Sequence, residues 1–166
     1  MIVRNFIIIL SLIILVSCGT NTTSFDAQYY LVRHAEKTTE KFDPDLTELG
    51  RQRALDLADR LEDVALTHVY SSDFRRTVNT AKPVSENKNL EIILYDPKNL
   101  EGLSKELLLK DGIFLVVGHS NTTPNLSEFM GGIAGDAIIE ATEYDRLYIL
   151  ERKGNSIFSE IVVYGK

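Results

Sequence analysis

Along the chain, short uninterrupted apolar runs alternate with longer segments in which apolar residues recur at helical spacing. Tyr29–Val32, within AQYYLVRHAE, is such a run and predicts a buried strand. A polar loop with Pro44 then leads to Thr47, a capping residue type, and Ala54, Leu57, Ala58 and Leu61 fall on one face of a helix expected over 48–62. Thr67–Tyr70 reads as a short strand and 73–82 as a helix stopped by Pro83. A third strand is expected over Leu90–Leu94, a helix over 99–110, and the most fully buried strand at Ile113–Val117 (IFLVV). Pro124 suits the first turn of a helix over 123–130 that ends at Gly131-Gly132. The last two apolar stretches, 146–152 and 156–163, flank Gly154-Asn155 and predict a β-hairpin. This alternation predicts an α/β fold: a three-layer sandwich with a mostly parallel central sheet, to which the C-terminal hairpin adds an antiparallel edge.

The first 17 residues break the pattern. MIVRNFIIILSLIILVS carries Arg4 and then an apolar stretch, Phe6–Val16, interrupted only by Ser11. That stretch is too short for a membrane span, which takes about 20 residues, and it fits the apolar region of a signal peptide, about 7–15 long. Leu15-Val16-Ser17-Cys18-Gly19 resembles the lipobox of bacterial lipoproteins, and the chain's single cysteine falls at the position that is lipidated in them. The resemblance implies three parts: a signal peptide over 1–17, a polar tether over 18–27 beginning at lipidated Cys18, and one domain over 28–166. It also implies a place at the bacterial cell envelope, held by acyl chains that each contribute about 0.8 kcal/mol per buried methylene. Gly19 is not the aspartate that retains such proteins in an inner membrane, so an outer membrane is favoured where the source has one.

Composition narrows the function. Lys and Arg number 18 against 24 Asp and Glu, for a formal charge of −6, which argues against a nucleic-acid partner. One cysteine excludes a disulfide framework or a cysteine-based zinc site. Open α/β sheets hold their ligands beyond the carboxyl ends of the strands. Three such ends carry basic or imidazole groups here: Arg33-His34, Arg75-Arg76 and His119. Arginines beside imidazoles make an anion site, because the guanidinium fork matches phosphate oxygens.

At these strand ends the chain resembles the histidine phosphatase superfamily, which includes cofactor-dependent phosphoglycerate mutases and many phosphatases. Leu31-Val32-Arg33-His34-Ala35-Glu36-Lys37 is similar to its signature. Tyr70-Ser71-Ser72-Asp73-Phe74-Arg75-Arg76-Thr77, with Thr80-Ala81, resembles its second block, and Val116-Val117-Gly118-His119-Ser120-Asn121-Thr122 the block with the second histidine. The resemblance implies a phosphoglycerate mutase-like fold and makes His34 the nucleophile, with Arg33, Arg76 and His119 around the phosphate oxygens. The spacing from Ser72 selects Arg76 over Arg75, which is expected to be a surface side chain. His68 matches no catalytic block, and a structural or surface role is expected for it. No metal and no cofactor are implied, because these groups supply the positive charge that phosphoryl transfer needs.

The proton donor is the open assignment. The leaving oxygen calls for a carboxylic acid. Asp96 directly follows the third strand, whereas Glu101 better matches the family's spacing; Asp96 is preferred and Glu101 is the alternative, with Glu36 expected at the pocket mouth. The expected function is metal-independent hydrolysis of a phosphorylated small molecule through a phosphohistidine. Two alternatives stand beside it: a lipoprotein that binds phosphorylated ligands without turnover, and a mutase-like phosphotransferase. Lys37, Lys41, Lys98 and Lys105 give the segments expected around the site a slight basic bias.

Overall fold

The computed structural model describes residues 27–165. The signal segment 1–17, Cys18 and the tether up to residue 26 lie outside the described residues. The elements run in the order β1 (Ala27–Arg33), α1 (Glu48–Arg60), β2 (His68–Ser72), α2 (Arg75–Lys88), β3 (Ile92–Tyr95), α3 (Leu100–Leu108), β4 (Gly112–Gly118), α4 (Thr122–Phe129), β5 (Arg146–Lys153) and β6 (Ser156–Val163). The strands form one sheet in the order β3-β2-β4-β1-β5-β6. β3, β2, β4 and β1 are mutually parallel, and β5 and β6 close the other edge in antiparallel pairing.

The strand runs are continuously apolar because the central strands are covered on both faces. Tyr30 and Val32 of β1 and Leu115 and Val117 of β4 pack with Leu57, Ala58 and Leu61 of the α1 segment and Ala81 and Val84 of α2. Tyr29, Leu31, Phe114 and Val116 face the other way, onto Leu103 and Leu107 of α3 and Leu126 of α4. Alternation along each strand thus builds two cores, and the three-layer sandwich follows. Thr47 caps α1 as expected, its side chain accepting from the Gly50 N–H at 3.0 Å. Gly50 itself lets α1 lie against the loop that follows β1, since a Cβ there would collide with the Glu36 carbonyl.

One helix runs well past its predicted end. α2 continues through Pro83 to Lys88. Proline removes one helical hydrogen bond, but Val84 beyond it is buried in the core and Asn89 supplies a left-handed cap. The Asn89 and Leu90 N–H groups bond to the Glu86 and Ser85 carbonyls at 3.2 and 3.0 Å. Burial and a good cap outweigh the single missing bond.

Register positions the chemistry. Arg33 pairs opposite Gly118 across β1 and β4, and Ser71 opposite Val117 across β2 and β4. The residues that follow the three central strands therefore emerge side by side at one edge of the sheet.

Candidate active site

His34 leaves β1 beside the end of β4, its N–H bonded to the Gly118 carbonyl at 2.9 Å. Its ring Nδ1 lies 2.7 Å from the Ala35 carbonyl. A carbonyl can only accept, so Nδ1 carries the proton and Nε2 keeps its lone pair. Burial, and then the charges of Arg33 and Arg76 and nearby His119, push the His34 pKa down to about 3 against the bond to Ala35. The ring is neutral and oriented, with a lone pair on Nε2.

His119 follows β4, with its ring centroid 5.5 Å from that of His34. Its Nδ1 lies 3.4 Å from Arg76 Nη2, which can only donate. The proton of the neutral ring is therefore on Nε2, which donates to Ser72 Oγ at 2.9 Å; Ser72 in turn donates to Thr77 Oγ1 at 3.1 Å. Burial and the two arginine charges lower the His119 pKa to about 4. Gly118 is needed beneath it, since a Cβ there would come within 2.8 Å of Thr122 Oγ1 and 2.9 Å of the Tyr95 hydroxyl.

The two arginines are held differently. Arg76, on the first turn of α2, stacks 4.5 Å over the Phe74 ring. Its backbone carbonyl accepts from Thr80 Oγ1, which in turn accepts from the Ala35 N–H, tying α2 to the histidine loop. Arg33 is only 1 % exposed. Its Nη1 and Nη2 donate to the Glu143 and Glu140 carbonyls at 2.7 and 2.8 Å, and its guanidinium lies 4.0 Å over the Tyr144 ring. The Nε atoms of both arginines are buried and have no hydrogen-bond partner among the described residues. Two orphaned cationic donors beside two histidines are what an anion would satisfy. Arg75, as expected, points away: its side chain is 51 % exposed and pairs with Glu40 and Asp45.

These groups border an open cleft of about 510 Å³, lined by His34, Arg76 and His119 together with Lys37, Phe74, Pro97, Lys98, Ser120, Asn121, Thr122 and Glu140. Arg33 is buried behind it, and its charge is felt by both histidines. Neither sequence candidate for the acid lines this cleft. The Asp96 carboxylate turns back to accept from the Lys98 N–H at 2.9 Å, and Glu101 lies exposed on α3, paired with Lys105 at 2.7 Å. Glu36 is engaged by Arg53 at 2.7 Å. His68 stands apart, stacked 4.7 Å from the Phe114 ring. The residues that sequence reasoning did not single out are Phe74, Tyr144 and Glu140. Phe74 lies inside a matched block, whereas the segment between α4 and β5 that supplies the other two has no periodicity to mark it.

The depressed histidine pKa values make a stability prediction. Both rings are neutral when folded and titrate near 6.5 when unfolded, so the unfolded chain binds more protons in the interval between. Their contribution is present above about pH 6.5 and is lost as pH falls toward about 4. Urea unfolding across that interval is expected to show falling stability, less steeply in His119→Ala; an unchanged slope in that variant contradicts the assignment.

Comparison with known proteins agrees with the geometry. Residues 29–97 match the model of the histidine phosphatase superfamily (branch 1). The chain is 42 % identical over 73 residues to phosphoserine phosphatase 1 of Hydrogenobacter thermophilus, covering 40 % of this chain and 35 % of that protein. It is 35 % identical over 78 residues to the probable phosphoglycerate mutase GpmB of Cronobacter sakazakii, covering 43 % of this chain and 36 % of that one. The chain thus spans little more than a third of the length of these curated relatives. Among solved structures, the putative phosphohistidine phosphatase SixA from Agrobacterium tumefaciens superposes with a TM-score of 0.65 at 23 % identity, over 84 % of this chain and 99 % of that one. A mycobacterial glucosyl-3-phosphoglycerate phosphatase superposes with 0.63 at 16 % identity, over 82 % and 97 %. These likenesses bear on the fold alone.

Proposed function

We propose that this chain, which belongs to the histidine phosphatase superfamily, hydrolyses phosphomonoesters through a phosphohistidine formed on His34. The observation that carries the reading is the pairing of a neutral His34, its Nε2 lone pair free at a cleft, with two guanidinium groups whose buried Nε donors lack acceptors. In this mechanism Nε2 attacks phosphorus while Arg33 and Arg76 stabilise the charge spread over the non-bridging oxygens. A phosphoryl dianion beside His119 counters the burial and the arginine charges that hold its pKa low, so the ring takes a proton from solvent and donates to the phosphate. Water then displaces His34 from phosphorus, splitting one difficult hydrolysis into two displacements.

Lys37 and Lys98 at the cleft draw anionic esters toward it. Within the same reading, the segment 1–17 and Cys18 carry the chain to the cell envelope, which supports hydrolysis over a mutase's role in central metabolism.

The test is turnover of p-nitrophenyl phosphate by the purified chain in EDTA, with acid quenching to trap labelled phosphoenzyme. Metal-independent hydrolysis and an acid-labile phosphoprotein are expected. Vanadate binding without any turnover would move the protein to the class of phosphate-binding modules.

A further inference from the structure

We infer that Glu140 is the proton donor of this site; the assignment rests on the phosphatase reading above. Glu140 is the acidic residue among those lining the cleft of His34, Arg76 and His119. Its carboxylate makes no hydrogen bond or ion pair among the described residues, whereas four neighbouring carboxylates are committed. Glu36 is held by Arg53, Asp45 by Asn79 and Arg75, Asp43 by the Arg75 N–H, and Glu143 by the Ile139 N–H. The Glu140 charge acts on both Arg33 and Arg76, which places it within electrostatic reach of the phosphate site from the side of each arginine.

Its backbone is fixed by the same machinery, since the Glu140 carbonyl is the acceptor for Arg33 Nη2 at 2.8 Å. Glu140 also borders a second hollow of about 380 Å³, which shares Ser120 and Asn121 with the cleft and is walled by Pro124, Asn125 and Ile138. An acid between a phosphate site and an adjoining hollow stands where the leaving group's oxygen lies, with the hollow open to the rest of that group.

The step balances as follows. The Nε2 lone pair of His34 forms a bond to phosphorus as the ester P–O bond breaks, its electron pair passing to the leaving oxygen. Glu140 takes up a proton from solvent as the phosphoryl dianion arrives and passes it to that oxygen, leaving the alcohol and a carboxylate. The carboxylate then takes a proton from water as the water oxygen bonds to phosphorus. The P–N bond breaks, its pair returns to Nε2, and phosphate leaves with Glu140 again protonated.

The test compares Glu140→Gln with the wild type on two esters: p-nitrophenyl phosphate, whose leaving group departs without a proton, and glycerol 2-phosphate, whose alkoxide needs one. For Glu140→Gln, kcat/KM on the alkyl ester is expected to fall by roughly 10²–10⁴-fold, and on the nitrophenyl ester by less than about tenfold. Inhibition by inorganic phosphate is expected to be unchanged or tighter, because a negative charge has left the arginines; this also shows that the site is folded. Asp96→Asn and Glu101→Gln should keep the wild-type ratio between the esters. Equal losses on both esters, no loss on either, or an ester-selective loss in Asp96→Asn would each overturn the assignment and leave the phosphatase reading standing. A wild type that hydrolyses only the nitrophenyl ester does the same. A wild type that hydrolyses neither overturns both.

Discussion

Replacing His34 with alanine is expected to lower kcat on p-nitrophenyl phosphate by a factor on the order of 10⁴ or more, and to abolish the trapped phosphoenzyme. The size of the effect follows from what the ring supplies. In the proposed mechanism Nε2 attacks phosphorus, and the ring's tautomer is set by one bond, from Nδ1 to the neighbouring Ala35 carbonyl. No other described side chain offers an uncharged nucleophilic nitrogen in that place. His119 has its Nδ1 facing Arg76 and its Nε2 facing Ser72. The residual rate would come from the arginines, which still bind and polarise the phosphate. Because among the described residues His34 bonds only to its own neighbour's carbonyl and to the Gly118 carbonyl through its backbone, the fold should survive, as a urea unfolding curve would show. Wild-type turnover in this variant would remove the phosphohistidine mechanism altogether.

Arg33→Lys is expected to be far from conservative. A lysine keeps the charge, but it is a point donor that cannot span the Glu140 and Glu143 carbonyls, lie flat over Tyr144 and present a further N–H at once. Loss of one charge-assisted bond and the stack should cost about 2 kcal/mol of stability. Misplacing the charge should lower kcat/KM by roughly 10²–10³-fold. The comparison is Arg75→Lys, whose exposed ion pairs each contribute at most about 1 kcal/mol and whose activity should be unchanged. Equal behaviour of the two variants in unfolding and steady-state assays would show that the buried position of Arg33 carries no special role.

The contrast between Arg75 and Arg76 was already readable in the sequence, because a helix sends adjacent side chains about 100° apart and the spacing from Ser72 chose one of them. The sheet was readable for a related reason: strands buried on both faces leave unbroken apolar runs such as IFLVV, and helices on either side leave their own period. α2 defied its reading because Pro83 acts locally, whereas Val84 and the Asn89 cap act through tertiary contact and backbone geometry. The carboxylate that lines the cleft was not legible, on different grounds. Asp96 has the right address, at a strand end, but a short turn aims its carboxylate at the Lys98 N–H. Glu140 has no address in the sequence, since it reaches the cleft from an irregular segment whose course is set by Arg33 and by bonds such as that from Tyr148 to the Ala134 carbonyl. Periodicity encodes layers, and a side chain brought in by a loop leaves no periodic trace.

The grip of Arg33 on main-chain carbonyls also separates the mounting of a loop from its message. A carbonyl is the same whatever side chain its residue bears, so within 134–143 the positions other than Gly135, Glu140 and Glu143 can change identity while the attachment persists. The segment beside the cleft can thus be rewritten for a new leaving group without rebuilding its anchor. Grafted or randomised loops of matching length are accordingly a natural starting point for redirecting this scaffold toward other esters.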